Sequence, residues 1–358
     1  MRHLLSVIGV VGLATAVAAA PPPGVTNAKI ETRSGAAGLL ALVKAELAAR
    51  NGPAWLGWSV PTTDRGSSCC WSGDDAGGAS CRGCRLEGER RFDVVGRSDE
   101  AVKLEGSDRV RVLLRAEGGR VSKIRAFSED CPLDAGGLPL VWIEDVRPAD
   151  SVAQLVTFVG QPVSDVTGGK RLDDGALAAI ASHADPSADV ALERYVAPEQ
   201  PRELRKKAAF WLGVSRGARG YEVLRRLVKD DPDGRFREHV VFALTQSREP
   251  KATDVIIEVA HRDPDGHVRG QALFWLAQSA ARRAPEAIKA ALDDDPEVEV
   301  KKKAVFALSQ LPKDEGVPLL IKVAETHRSY EVRKQAMFWL GQSQDPRALA
   351  FFEDVLKR

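Results

Sequence analysis

The residues best placed to do chemistry are five cysteines: Cys69, Cys70, Cys81 and Cys84 in one Gly- and Ser-rich stretch, and Cys131 beyond it. Four thiolates can ring a zinc ion, but adjacent cysteines followed by a single C-x2-C fit structural-zinc spacing poorly. In oxidising surroundings, cysteines of a loop-rich module pair as disulfides that hold a modest core together. An odd count then leaves one thiol free or joined to another molecule. A redox role for Cys81 and Cys84 lacks the βαβ context that such a motif needs. Two readings stay open: a disulfide framework over Cys69, Cys70, Cys81, Cys84 and Cys131, and a cysteine-based redox or metal-handling module.

The six histidines, His3, His183, His239, His261, His267 and His327, show no metal-binding spacing such as H-E-x-x-H. No G-x-S-x-G elbow, phosphate loop or dinucleotide fingerprint occurs in the chain. The sequence therefore offers no catalytic constellation and implies no cofactor. A formal net charge of +1 supplies no global field to draw in nucleic acid or an anionic membrane surface.

The elements around these residues fall into three parts. Met1, Arg2 and His3 precede an apolar run from Leu4 to Ala20 and then Pro21, Pro22 and Pro23. A basic start, a short apolar core and an Ala-rich end predict a secretory signal peptide over 1–20, cleaved near Ala19 or Ala20. The run is short for a membrane span, no cysteine follows it as a lipid anchor would require, and no later segment is apolar enough to span. The mature chain is expected outside the cytoplasm, periplasmic or extracellular.

Residues 28–160 read as a small α+β domain that carries the cysteines. Ser34 to Arg50 is helix-like, with Leu39, Leu40, Val43 and Leu47 at helical spacing and Gly52-Pro53 as a stop. Arg109 to Arg115 and Arg120 to Phe127 read as strands joined through Glu117-Gly118-Gly119, a hairpin signal. Leu140 to Val146 reads as a further strand, and Ser151 to Val159 as a helix capped by Asp150 or Ser151. Residues 161–171, with Gly168-Gly169, read as a linker.

From 172 to 358 the chain repeats. Phe210, Phe242, Phe274, Phe306 and Phe338 stand at one spacing, 242 − 210 = 32, inside the phrases AAFWLGVS, VVFALTQS, ALFWLAQS, AVFALSQL and AMFWLGQS. Taking Val268 as origin at about 100° per residue, Ala272, Trp275, Leu276 and Ser279 share one face. A second apolar pattern follows each phrase, with Leu224, Ile256, Ile288, Leu320 and Phe352 again in step. Each unit is a pair of antiparallel helices, and such units bury their faces only against one another. Asp231-Pro232, Asp263-Pro264 and Asp295-Pro296 mark the turns, because Pro cannot continue a helix. Six residues past each Asp stands Arg237, Arg269 or Lys301; Arg205 and Arg333 hold the same helix position in the first and last units.

This combination resembles the HEAT-repeat family, in particular its short bacterial branch similar to phycobilisome-lyase HEAT-like repeats. The phrase reads Asp263, Pro264, Val268, Arg269, Ala272, Leu276 and Ala277, and at the end Val332, Arg333, Ala336, Leu340 and Gly341. The resemblance implies an α-solenoid of helix pairs. It also implies a structural ladder through Asp231, Arg237, Asp263, Arg269, Asp295, Lys301 and Arg333. His327 stands where the next Asp is expected, so the ladder should break there. Residues 176–197 keep the register with Ile180, Leu192 and Val196, but carry Ala178 in place of Phe, as a capping unit would. Lyase activity is not carried by the helix-pair phrase.

Two files of residues fall outside the family phrase. Phe210, Phe242, Phe274, Phe306 and Phe338 lie about 140° from the centre of the buried face, which leaves seam filling or an exposed stripe as their role. Gln246, Gln278, Gln310 and Gln342 recur beside them, either capping backbone groups or facing a partner. The residue after Phe alternates Trp211, Ala243, Trp275, Ala307, Trp339, as interlocking core neighbours would. The expected function is an exported scaffold or adaptor without catalysis of its own, binding another protein through these files. The last helix, with Phe351 and Phe352, is a further candidate for self-association.

Overall fold

The computed structural model describes residues 24–63, 84–87, 106–160, 172–279 and 283–357. The leader over 1–20, Cys69, Cys70 and Cys81, the Cys84 side chain and the segment 161–171 lie outside the described residues.

In chain order the first part comprises β1 (Val25–Thr26), β2 (Ile30–Ser34), α1 (Leu39–Ala49), β3 (Ala54–Pro61), β4 (Cys84–Arg85), β5 (Arg109–Glu117), β6 (Arg120–Ser128), β7 (Leu133–Asp134), β8 (Leu140–Glu144) and α2 (Pro148–Val156). The main sheet runs β2-β8-β3-β5-β6. Strand β8 is parallel to both β2 and β3, and β5 is antiparallel to its two neighbours β3 and β6. Gly118 and Gly119 turn the β5–β6 hairpin with φ of 56° and 73°, the left-handed pair that a tight turn of this kind needs.

Two readings of this part need correction, and one strand had no reading. The helix begins at Leu39, because Ile30–Ser34 pairs with β8 along its whole length. Trp55-Leu56-Gly57-Trp58, whose apolar run has no alternation, is the central strand β3; it is buried on both faces, and such strands read as continuous apolar runs. Helix α2 opens at Pro148 with Arg147 before it, and Ser151 lies buried inside it. Pro at the first helical position suits the start, since its missing N–H has no partner there.

The remaining helices are α3 (Leu172–Ser182), α4 (Pro186–Tyr195), α5 (Arg202–Ser215), α6 (Gly217–Asp230), α7 (Gly234–Thr245), α8 (Ala252–Arg262), α9 (Gly266–Gln278), α10 (Ala284–Asp294), α11 (Val298–Gln310), α12 (Lys313–Thr326), α13 (Tyr330–Gln342) and α14 (Pro346–Lys357). Helices α7 and α9 are capped by Asp233 and Asp265, whose carboxylates accept from the N–H two residues on. The phrase helices α5, α7, α9, α11 and α13 pack on one another more intimately than α6, α8, α10, α12 and α14 do. A stack with one tight and one loose row bends toward the tight row. Small residues permit the approach: a Cβ on Gly213 would lie 2.1 Å from the carbonyl oxygen of Ala243.

The buried face of α9 is centred on Val268, Arg269, Ala272, Leu273 and Leu276. Trp275 is half-buried and Ser279 exposed, so the face is rotated away from these two. One continuous apolar core joins α1, α2 and the helix-facing side of the main sheet to the whole array, from Leu39 to Phe351. The junction is made by α3 on β6, where a Cβ on Gly175 would lie 2.5 Å from the Ile124 carbonyl oxygen. A second, smaller core of Trp55, Leu113, Phe127 and Leu140 lies between the other face of the sheet and the β1-β7-β4 layer.

Candidate functional site

The turns between units are bound by a ladder of buried ions. Arg237 donates from Nε and Nη2 to the Asp263 carboxylate at 2.9 and 2.8 Å, and from Nη1 to the Asp231 carbonyl at 2.8 Å. Arg269 repeats this with Asp295 at 2.7 and 3.0 Å and the Asp263 carbonyl at 2.8 Å. Arg205 pairs with Asp231, its guanidinium 3.7 Å above the Phe236 ring. Each cation thus ties its own turn to the carboxylate of the next. The same Asp oxygens accept the backbone N–H of Asp233, Asp265 and Glu297. The hydrogen bonds from Arg237 to Asp263 and from Arg269 to Asp295 raise both guanidinium pKa values above their usual range.

Beyond this the rungs change chemistry. Lys301 donates to the carbonyls of Leu292 and Asp293 at 2.7 and 2.8 Å, and burial pulls its pKa down. His327 keeps half of the missing aspartate's work. Its Nδ1 accepts the Ser329 N–H at 3.1 Å, the same bond to the residue two ahead, but it offers Lys301 no negative charge. Arg333 donates to the carbonyls of His327 and Arg328.

Along the row of phrase helices runs an unbroken line of rings. Phe210 stacks on Phe242 with 6.0 Å between centroids, Phe242 meets Trp275 at 4.7 Å, and Trp275 meets Phe274 at 5.0 Å. Phe274 stacks on Phe306 at 5.7 Å, Phe306 meets Trp339 at 4.8 Å, and Trp339 meets Phe338 at 5.1 Å. Phe210, Phe242, Phe274 and Phe306 are half-buried, and Phe338 is 54% exposed. The alternation of Trp and Ala has a geometric cause: a Trp enters every second seam as an extra ring, while Ala243 and Ala307 leave room for direct Phe–Phe stacking in the others. Trp211 is buried, but Trp275 and Trp339 are half-buried members of the ribbon. Seam packing and exposed stripe are therefore one arrangement, with one edge of each ring in the seam and the other in solvent.

Gln278 and Gln342 are exposed, and Gln246 and Gln310 half-buried. Gln278 donates to Gln310 at 3.0 Å, while Gln246 and Gln310 donate to Thr245 and Ser309. These amides bind side chains, not the backbone groups between helices.

A polar chain that the periodic reading missed crosses the junction of sheet and array. Trp58 Nε1 donates to Ser151 Oγ at 2.6 Å, and Ser151 Oγ lies 2.8 Å from His183 Nε2. His183 Nδ1 lies 2.6 Å from the Ala179 carbonyl, so a neutral ring with its proton on Nδ1 satisfies every bond. Burial pushes the His183 pKa down to about 4. Arg216 donates to the carbonyls of Ala181 and His183. Ser151 and His183 are both fully buried, so this serine–histidine contact joins elements and is closed to a substrate. The signal for it was a polar pair on otherwise apolar helix faces.

Cys131 is buried and disulfide-bonded, and its partner is not among the described side chains. Among the described residues no group of three or more His, Cys, Asp or Glu could hold a metal ion, and no helix is long and apolar enough to cross a membrane.

Helix pairs stacked in register through an Asp–Arg ladder define an α-solenoid. Residues 176–277 and 285–358 match HEAT repeats, and residues 268–294 match the PBS lyase HEAT-like repeat. The chain belongs to the HEAT-repeat family through this array. No curated protein matches the chain. Among solved structures it is similar to human deoxyhypusine hydroxylase in complex with glycerol, at 18% identity over 59% of this chain and 80% of that chain, with a TM-score of 0.30. It is also similar to the complex of CpcE and CpcF of phycocyanin lyase from Nostoc sp. PCC7120, at 20% identity over 58% and 80%, with a TM-score of 0.31. A third is Kap121p, at 13% identity over 58% and 27%, with a TM-score of 0.36.

Proposed function

We propose that this protein is an exported scaffold that binds another protein along its aromatic ribbon and performs no catalysis itself. The observation that carries the reading is the line of rings from Phe210 to Phe338, each held by its neighbours yet open on one edge. Rings fixed in this way lose little side-chain freedom on binding, which favours their use as anchors. The Gln278–Gln310 pair beside them offers amide groups to a partner's backbone. Export is supported by the leader-like run from Leu4 to Ala20 and by the disulfide at Cys131, a bond that persists in oxidising surroundings. The burial of Cys131 favours a structural cystine over a redox-cycling or metal-handling thiol.

The test is partner capture from the exported fraction of the native cell, comparing the wild-type chain with Phe242→Ser/Phe274→Ser/Phe306→Ser. Loss of a captured protein with unchanged helicity supports the reading. An unchanged set of captured proteins with a folded variant would overturn it.

A further inference from the structure

The chain holds two asparagines, Asn27 and Asn51, and the fold gives them opposite settings. Asn51 precedes Gly52 in the connection between α1 and β3, and Asn51, Gly52 and Pro53 are all exposed. On one side this connection is fastened by Arg50, which donates to Glu46 at 3.1 and 3.0 Å and to Glu31 at 3.1 Å. On the other it is fastened by the Trp55 N–H, which donates to the Pro139 carbonyl at 2.8 Å. Between these two anchors, among the described residues, the Gly52 N–H meets no backbone acceptor, and a Cβ on Gly52 would touch nothing within 4 Å.

An asparagine followed by glycine carries an electrophile and a nucleophile one residue apart. The side-chain amide carbon lies within reach of the next backbone nitrogen, and their union closes a five-membered ring. Glycine has no side chain to crowd that approach and the widest choice of backbone angles with which to make it. Asn27 lacks each of these advantages. Ala28 follows it, and the Ala28 side chain packs on the smaller core. The Asn27 carbonyl accepts the Gly137 N–H at 2.8 Å, and the carbonyls of Thr26 and Lys29 accept from Ala135 and Leu140 at 3.0 and 2.9 Å. The Ala28 nitrogen is therefore held away from such a movement.

We propose that Asn51 is a site of spontaneous covalent modification, with water as the co-reactant. The Gly52 nitrogen forms a bond to Cγ of Asn51, the bond from Cγ to Nδ2 breaks, and ammonia leaves with the Gly52 proton. Water then adds to either carbonyl of the cyclic imide and opens it, leaving aspartate or isoaspartate at position 51. The isoaspartyl product lengthens the connection by one methylene, which an exposed turn outside both cores takes up without disturbing α1 or β3. Both products add a negative charge beside Arg33, Arg50, Glu31 and Glu46, a cluster whose two cations and two carboxylates now balance. The modification does not depend on the ribbon's binding another protein.

The test is peptide mapping by mass spectrometry of the folded full chain held for weeks in mildly alkaline buffer, because the attacking nitrogen must lose its proton. Position 51 should show the mass gain of an amide turned to a carboxylate, split between two products. It should do so at least ~10-fold faster than position 27, as a glycine nitrogen free of a side chain allows. The rate should be close to that of the same chain unfolded in urea, and Asn51→Gln should abolish it. The converted chain should keep its helicity and melting temperature. Three outcomes would overturn the proposal: conversion at 51 in urea but not in the folded chain, equal conversion at 27, or unfolding of the converted chain.

Discussion

Ser151 on α2 and His183 after α3 are joined at 2.8 Å inside the protein, with Trp58 of β3 closing the chain at 2.6 Å. Three elements from the two parts of the molecule are locked by two side-chain hydrogen bonds in a space without solvent. The lock explains why sheet and array share one core, and it makes their union sensitive to acid.

In the unfolded chain a histidine titrates near 6.5, whereas burial holds that of His183 at about 4. Between these values the unfolded state binds more protons. Stability is therefore fully present above about pH 6.5 and is lost as pH falls toward 4, by roughly 3 kcal/mol in all. Urea unfolding at a series of pH values should show this slope, and His183→Gln should flatten it; an unchanged slope in the variant would count against the lock.

The Arg237–Asp263 pair is buried on both sides. Asp263→Ala leaves an uncompensated cation, with an expected loss of about 3–5 kcal/mol by chemical denaturation. Glu297→Ala removes an exposed carboxylate from Arg269 and should cost less than about 0.5 kcal/mol.

His327 preserves the turn but not the rung. His327→Asp supplies Lys301 with the carboxylate that Arg205, Arg237 and Arg269 already have, and the melting temperature should rise by an amount equivalent to roughly 1 kcal/mol. A fall would show that the imidazole's bond to the Leu292 carbonyl, at 3.2 Å, matters more.

Phe274 and Phe306 lie nearly parallel. A double-mutant cycle with alanine at both should return a coupling of about 0.5–1.5 kcal/mol, as for stacked aromatic pairs. Phe274 with Phe338, which share no ring contact, should return a value near zero.

Gly175 touches the Ile124 carbonyl where α3 meets β6. Gly175→Ala should destabilise by about 1–3 kcal/mol through this contact, despite alanine's better helix propensity. Hydrogen exchange should rise first in α3 and β6.

The repeat and its partners were legible because they recur. Phe274 announces Phe306, and Asp263 announces Asp295, whatever else the chain does. The half-exposed setting of the rings was not legible. A wheel drawn from Val268 put Trp275 and Ser279 on the buried face, but neighbours on both sides decide burial in a solenoid, and they rotate that face toward Arg269 and Leu273. Strand β3 escaped notice for a related reason, since a strand buried on both faces has no alternation to betray it.

The sequence by itself determined the helix pairs, their order, and which Asp and Arg form rungs, because each of these depends on residues one period apart. Only the tertiary structure decided how the sheet is fastened to the array, which seams admit a Trp, and that Phe338 and Leu356 stay open. Those outcomes depend on contacts between segments distant in sequence, such as Trp58 with Ser151 and Ile124 with Gly175, and no spacing along the chain encodes them.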